Sequence, residues 1–362
     1  MSSTSFFEAI LGKYNKSRSA FAIGIFVLLL LAIALLYFVF TGRLRGNPNP
    51  IPTPDLTPTS TVALFPRRLD GVLVPQGETD WAPRAVVVEN HSTARPLSGV
   101  SKASVAIEAP VEGGITRFIL LFDATTTVPE IGPVRSARPY YVDWARSWFA
   151  SFFHVGGSPD ALTKIRSLGA NFNNIDEMTN GRFFWRSSGR FAPHNTYTSQ
   201  ELMNQAVHDK NFSQATMPIL WHFKDAATTT ERGDVLTIKI PYGNVYNVTW
   251  KFNKERGVYV RYQAGLAQKD KDGSPVESDN VVLIKTDSQV LDKEGRLQLR
   301  TTGSGDAMAY RDGNKYPLRW TRATGQTLKF ESTDGTEFIL NRGKTWIEVT
   351  TDDRIFAGLE VK

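Results

Sequence analysis

Ala20–Phe40 (AFAIGIFVLLLLAIALLYFVF) is 21 residues long and carries no charge. At about 1.5 Å of rise per helical residue, such a run spans roughly 30 Å, the thickness of a bilayer's hydrocarbon core. It ends in Tyr37-Phe38-Val39-Phe40, an aromatic belt, then Thr41-Gly42-Arg43. A secretory leader has a shorter core and a small-residue cleavage site, so the run predicts an uncleaved anchor, residues 20–40. Lys13, Lys16 and Arg18 precede it, against Arg43 and Arg45 after it. That charge bias predicts a short cytoplasmic head, residues 1–19, with the globular part outside the cytoplasmic membrane.

Between Asn47 and Pro66 the chain places six prolines among Thr, Asn and Ser. This composition predicts an extended, polyproline-like spacer, residues 41–69. There is no cysteine, which excludes disulfides, thiolate metal sites and cysteine nucleophiles. The net charge of +6 gives a mild basic bias toward phosphates, acidic glycans or an anionic membrane surface. Nucleic acid is disfavoured as a partner, because no Lys/Arg run exceeds two residues.

From residue 70 to 228 the pattern predicts a mixed α/β domain. Ala85–Glu89, Ser104–Ala109, Thr116–Phe122 and Phe152–Val155 read as strands. Pro139–Ser151 has apolar residues at helical spacing. Ser158-Pro159-Asp160 and Thr198-Ser199-Gln200-Glu201 are helix starts, and the first of these helices stops at Gly169. From 229 to 362 short apolar runs alternate with Asp272-Gly273, Asp312-Gly313 and Asp334-Gly335, which are hairpin dipeptides. The fold class expected is therefore α+β: a transmembrane helix, a mixed α/β domain, then a smaller β-rich domain.

Arginines are the sharpest chemical feature. Arg117, Arg135, Arg138, Arg146, Arg182, Arg186 and Arg190 follow Arg95 in one stretch of chain. Arg135 and Arg138 flank Ser136 just before a helix start, where free backbone N–H groups already favour anions. Guanidinium forks bind phosphate or carboxylate bidentately. The expected ligand-binding set is Arg95, Arg117, Arg135, Ser136, Arg138, Ser158 and Arg186. The competing reading pairs these arginines internally with Glu108, Glu112, Asp123, Glu130 and Asp143. Asp143 and Arg146, one turn apart, are expected to form a surface ion pair.

His154, Asp160 and His194 are the catalytic candidates, as proton carriers on glycine- or proline-bounded loops. No nucleophile elbow, phosphate loop, dinucleotide fingerprint or zinc-type histidine spacing occurs, so no cofactor and no metal are expected.

Several motifs resemble the YerB-like proteins, a bacterial lipoprotein-type family with a two-part domain of unknown function. They are N-H-x-x-x-R-P at Asn90–Pro96, E-G-G-I-T-R-F at Glu112–Phe118, I-G-P-V-R-S-A-R-P at Ile131–Pro139 and H-x-G-G-S-P-D at His154–Asp160. Phe184-Trp185-Arg186 and Ala192-Pro193-His194-Asn195 extend the match. So do T-G-S-G-D-A-x-x-Y-R-D-G at Thr302–Gly313 and R-G-K-T-W-I-E at Arg342–Glu348. The resemblance implies an envelope location and two domains, and it supplies no catalytic residues. Lacking cysteine, this chain departs from the lipoprotein pattern, and the apolar helix is expected to anchor it instead. Two functions follow as expectations. One is an envelope binding or regulatory module for an anionic ligand: a glycan, a phosphate-bearing molecule or an envelope protein. The alternative is an envelope enzyme acting on a phosphate-linked glycopolymer, by analogy of architecture with the LytR-CpsA-Psr ligases.

Overall fold

Arg84–Glu89 (β1) is buried at every position, Val105–Pro110 (β2) at all but its last, and Thr116–Phe122 (β3) at every position. Such runs need cover on both faces of their sheet. The computed structural model, which describes residues 25–41, 63–212, 217–356 and 359–360, provides it. Two further strands, Ser151–His154 (β4) and Asn174–Asp176 (β5), complete the first half of the chain's main sheet. Then follow Thr237–Ile240 (β6), Val248–Asn253 (β7), Val258–Gln263 (β8), Asn280–Lys285 (β9), Gly303–Arg311 (β10), Asn314–Arg322 (β11), Lys329–Glu331 (β12) and Thr345–Thr350 (β13). Residues 25–41 form helix α1. Pro139–Ser147 is α2, Pro159–Leu168 is α3 and Gln200–Asp209 is α4.

One ten-stranded sheet runs in the order β12-β11-β10-β9-β13-β2-β3-β1-β4-β5. Strand alternation splits its side chains between two cores. Ala85, Val87, Ile107, Ile119 and Leu121 join Tyr140, Tyr141, Trp144 and Trp148 of the α2 region. Val86, Val88, Phe118 and Leu120 join Trp250, Phe252 and Tyr259 of a second, antiparallel sheet built on β6, β7 and β8. The fold is mixed α/β, rich in strands and poor in helices.

The helix starts form as their local chemistry dictates. Ser158 Oγ accepts from Ala161 N at 3.3 Å with Pro159 in the first turn, and Ser199 Oγ accepts from Leu202 N at 3.2 Å. Helix α2 stops at Ser147, short of the expected Ser151, because Phe149 turns into the left-handed region at φ 57°. Strand β11 is one the sequence patterning did not reveal. It forms with β10 a hairpin over Asp312 and Gly313, whose φ of 54° and 70° match a type I′ turn.

The ten-stranded sheet crosses the 228/229 division expected from the sequence. Strand β13, near the end of the chain, lies parallel between β9 and β2, so both stretches of chain share one sheet. The folded body also begins before residue 70. Leu64–Pro66 pairs with Leu73–Pro75, and Leu69 is 1% exposed, so the end of the expected linker is structured.

Of the expected anchor, residues 25–40 are helical and exposed along their length. Among the described residues no helix is long and apolar enough to cross a membrane. The expected head, residues 1–19, and most of the linker lie outside the described residues.

A polar seam joins the two sheets. Glu108 on β2 and Glu348 on β13 are register neighbours, and both are 0% exposed. Arg261 on β8, also fully buried, donates to Glu108 and stacks over Trp346 at 4.8 Å. Glu108 Oε1 accepts from Thr116 Oγ1 at 2.5 Å and Asn90 Nδ2 at 3.2 Å. The opposing Glu348 accepts from Trp250 Nε1 at 2.9 Å. Its folded pKa is held well above the ordinary range, by burial first and by the Glu108 charge second.

Candidate functional site

Three loops meet where β1 ends. Glu89 N donates to Pro133 O at 3.0 Å, and Arg135 N donates to Val87 O at 2.8 Å, so the 131–138 loop is stitched onto β1. Val134 N donates to Thr196 O at 2.7 Å, which draws in the 192–195 loop. The third loop is Asn90–Ala94, where the His91 side chain accepts from Thr93 N at 3.3 Å.

Glu89 lies at the centre with its side chain 5% exposed. Its carboxylate accepts from Arg135 Nε at 3.2 Å and from His194 Nδ1 at 2.5 Å. A carboxylate can only accept, so the Nδ1 hydrogen of His194 is fixed and Nε2 faces outward. His194 Nε2 lies 3.4 Å from Thr93 Oγ1, which is itself 2.7 Å from His91 Nδ1. Since His91 Nδ1 accepts from the Thr93 backbone, the Thr93 hydroxyl hydrogen points to His91, so Thr93 can accept from His194 Nε2 only when that nitrogen carries a proton. The two imidazoles stack at 5.2 Å. The result is a carboxylate-oriented histidine at a half-exposed position, the geometry of a general acid or base.

Beside this relay is a cluster of guanidiniums. Arg117 is the register neighbour of Glu89 across β1 and β3, and it is 6% exposed. Its guanidinium donates to Ser136 O at 2.9 Å, and among the described residues no carboxylate lies within ion-pair distance of it. Arg138 pairs with Glu112. Three guanidiniums (Arg117, Arg135, Arg138) thus face two carboxylates (Glu89, Glu112), leaving one guanidinium without a carboxylate of its own. Burial lowers the Arg117 pKa, and the charges of Arg138 and Arg135 lower it further. At Glu112 burial acts upward, but the hydrogen bond and charge of Arg138 outweigh it and hold the carboxyl below its ordinary range.

The other expected residues are engaged elsewhere. Arg95 donates to Asn90 O at 2.9 Å and Val245 O at 3.0 Å, and so ties its loop to the 244–246 turn. Arg186 pairs with Glu177 at 2.9 Å, and Ser158 caps α3. His154 is fully buried, with Nδ1 donating to Gly156 O at 2.7 Å and Nε2 2.8 Å from the Asn174 side chain. Asp160 is exposed on the first turn of α3, and among the described residues neither a hydrogen bond nor an ion pair links it to either histidine. Of the three catalytic candidates, only His194 is hydrogen-bonded to a second titratable side chain among the described residues.

Internal pairing is real but falls differently from expectation. Of the expected carboxylates only Glu112 takes an arginine of the central stretch. Glu108 takes Arg261, Asp123 takes Arg67, Glu130 takes Lys271 and Asp143 takes Lys164. Asp143 therefore does not pair with Arg146. The sequence reading passed over Glu89, His91 and Thr93. The Asn90–Pro96 motif contained two of them, and Glu89 closes the adjoining strand.

Two family models match the chain: the N-terminal domain of the protein of unknown function DUF3048 over residues 69–213, and its C-terminal domain over 238–347. A relative from Bacillus subtilis (strain 168) described as "Putative lipoprotein YerB" is 34% identical over 291 residues, covering 78% of this chain and 86% of the relative. The crystal structure of the YerB protein from Bacillus subtilis superposes with a TM-score of 0.71 at 31% identity, covering 82% of this chain and 99% of that one.

Proposed function

We propose that this chain, which belongs to the DUF3048 family and is related to YerB throughout its globular part, is a membrane-tethered extracytoplasmic module that recognises an anionic group. The observation that carries the reading is Arg117. A guanidinium that is 6% exposed and has one carbonyl partner among the described residues leaves a positive charge without a paired carboxylate at the junction of β1 and β3. An incoming phosphate or carboxylate, on a glycan, a phosphate-bearing molecule or a partner protein, would supply the missing charge through Arg135 and Arg138. The relative is described as a lipoprotein. This sequence contains no cysteine, and its uncharged run Ala20–Phe40 would serve as the tether instead.

Titration of the full chain in detergent with pyrophosphate tests the site. Binding that weakens with added salt is expected, and Arg135→Ala and Arg138→Ala should each lower affinity by about tenfold or more while the fold persists. Unchanged affinity in both variants would sink the proposal.

The Glu89–His194 pair favours a second reading, an envelope enzyme acting on a phosphate-linked glycopolymer. The arginines would hold the phosphate while His194 moves the proton and Glu89 orients it. Turnover of a lipid-pyrophosphate-linked oligosaccharide should then vanish in His194→Ala. His154→Ala should lower stability instead, because His154 is buried in hydrogen bonds to Gly156 and Asn174. Turnover that survives His194→Ala removes the enzymatic reading.

A further inference from the structure

Helix α2 ends in a full Schellman closure: Phe149 N donates to Arg146 O at 3.0 Å, and Ala150 N donates to Ala145 O at 3.1 Å. The closing position belongs by preference to glycine, because its backbone is left-handed. Here it is Phe149, at φ 57° and 43% exposed. A large aromatic in that conformation is unfavourable by itself, and no ring packs against it among the described residues. A strained aromatic that still leaves 43% of its surface exposed is a candidate contact for a ligand.

The surroundings say which ligand. Phe149 lines a cavity of about 350 Å³ together with Arg146, Asn171, Phe172, Asn173 and Gly325. Phe172 is 7% exposed and belongs to the core beneath. Asn171 is exposed and its amide has no partner among the described residues. The Arg146 guanidinium is likewise unpaired among the described residues, because Asp143 is held by Lys164 at 2.6 Å and Thr301 at 2.8 Å. The cavity thus offers an aromatic surface, a free planar amide and a free planar cation. A pyranose ring presents the matching set: a C–H face for the aromatic, and neighbouring hydroxyls for bidentate amide and guanidinium groups. An unpaired arginine favours a sugar bearing a carboxylate.

We propose that this cavity at the end of α2 is a carbohydrate-binding subsite for an acidic pyranose unit, with Phe149 as the stacking platform, Asn171 on the hydroxyls and Arg146 on the carboxylate. The subsite uses none of Arg117, Arg135 or Arg138, so it stands or falls apart from the anion cluster.

Isothermal titration of the full chain in detergent, with hyaluronan hexasaccharide, chitohexaose and polyglutamate as probes, tests it. Hyaluronan should bind more tightly than chitohexaose. Phe149→Gly, which suits the left-handed backbone, and Phe149→Ala should each weaken both saccharides by roughly tenfold or more. Arg146→Gln should weaken hyaluronan and leave chitohexaose unchanged, and Arg135→Ala should change neither. The assignment is overturned if the parent binds neither saccharide, or if Phe149→Gly binds them as the parent does. It is also overturned if polyglutamate loses as much affinity as hyaluronan in the Phe149 variants, since charge alone would then explain the capture.

Discussion

Burial beside Glu108 pushes the Glu348 carboxyl well above the ordinary carboxylate range. Tyr242 has one hydroxyl hydrogen but two oxygens within reach, Glu348 Oε2 at 3.0 Å and Val349 O at 3.1 Å. The Tyr242 hydroxyl donates to Glu348 Oε2 and Trp250 Nε1 donates to Oε1, which favours the charged form, but burial and the Glu108 charge outweigh both. Burial and the Glu108 charge raise the folded pKa above the ordinary value of 4.5. As pH climbs past that value the unfolded chain releases the proton and the folded chain keeps it, so this residue lowers stability with rising pH. Glu348→Gln keeps the shape of the side chain and an acceptor oxygen in the seam without titrating. Urea unfolding should find the variant close to the parent at pH 4 and ahead of it at pH 8 by about 1 kcal/mol or more. An advantage that does not grow with pH would contradict the raised folded pKa. The partner charge behaves oppositely: Arg261→Met strands Glu108 in the seam and should cost about 3–5 kcal/mol in the same assay.

At the scale of elements, legibility followed the range of the interactions. Helix starts at Ser158 and Ser199 were readable because a cap, a first-turn proline and an acid are neighbours in sequence. Strand β11 was not readable, since polar Asn314 and Arg322 stand at the ends of its inward face and Pro317 interrupts it. Pro317 is tolerated because β12 pairs only with Arg319–Thr321, which leaves that part of the strand at an open edge. The site divides the same way. Arg135, Arg138 and His194 stood out in motifs, but Glu89, which orients two of them, is one acid closing an apolar run. Nothing local marks it. The β10–β11 turn gives an element-scale test, because Gly313 has φ 70° and a Cβ there would meet Gly233 O at 2.5 Å and Phe252 Cε1 at 2.7 Å. Its N–H donates to Tyr259 OH at 3.0 Å, so the turn also ties the main sheet to the second one. Gly313→Ala should destabilise by roughly 2 kcal/mol through strain and displaced neighbours. A variant that unfolds at the parent's urea midpoint would mean the turn yields without cost.

For the whole molecule, the decisive contact is the one that one sequence hides best. Strand β13 pairs in parallel with β2, setting Thr345 beside Val105 and Glu348 beside Glu108. No periodicity announces a partner so distant along the chain, and the change of texture near residue 228 suggests a division instead. Both halves depend on this insertion. Without β13, strand β2 would have an open, apolar edge at the centre of the sheet, and β9 would lose its parallel neighbour. Trp346, Ile347 and Val349, each at most 3% exposed, would also leave both cores. At about 1.5–3 kcal/mol per large apolar side chain, that loss rivals the whole stability of a typical domain. A fragment of residues 63–228 should therefore lack a cooperative unfolding transition by circular dichroism. Adding residues 229–362 in trans should restore it by supplying β13. If the fragment alone unfolds cooperatively with protected amides in β2, the first half is self-sufficient and the shared sheet is an accessory rather than a requirement.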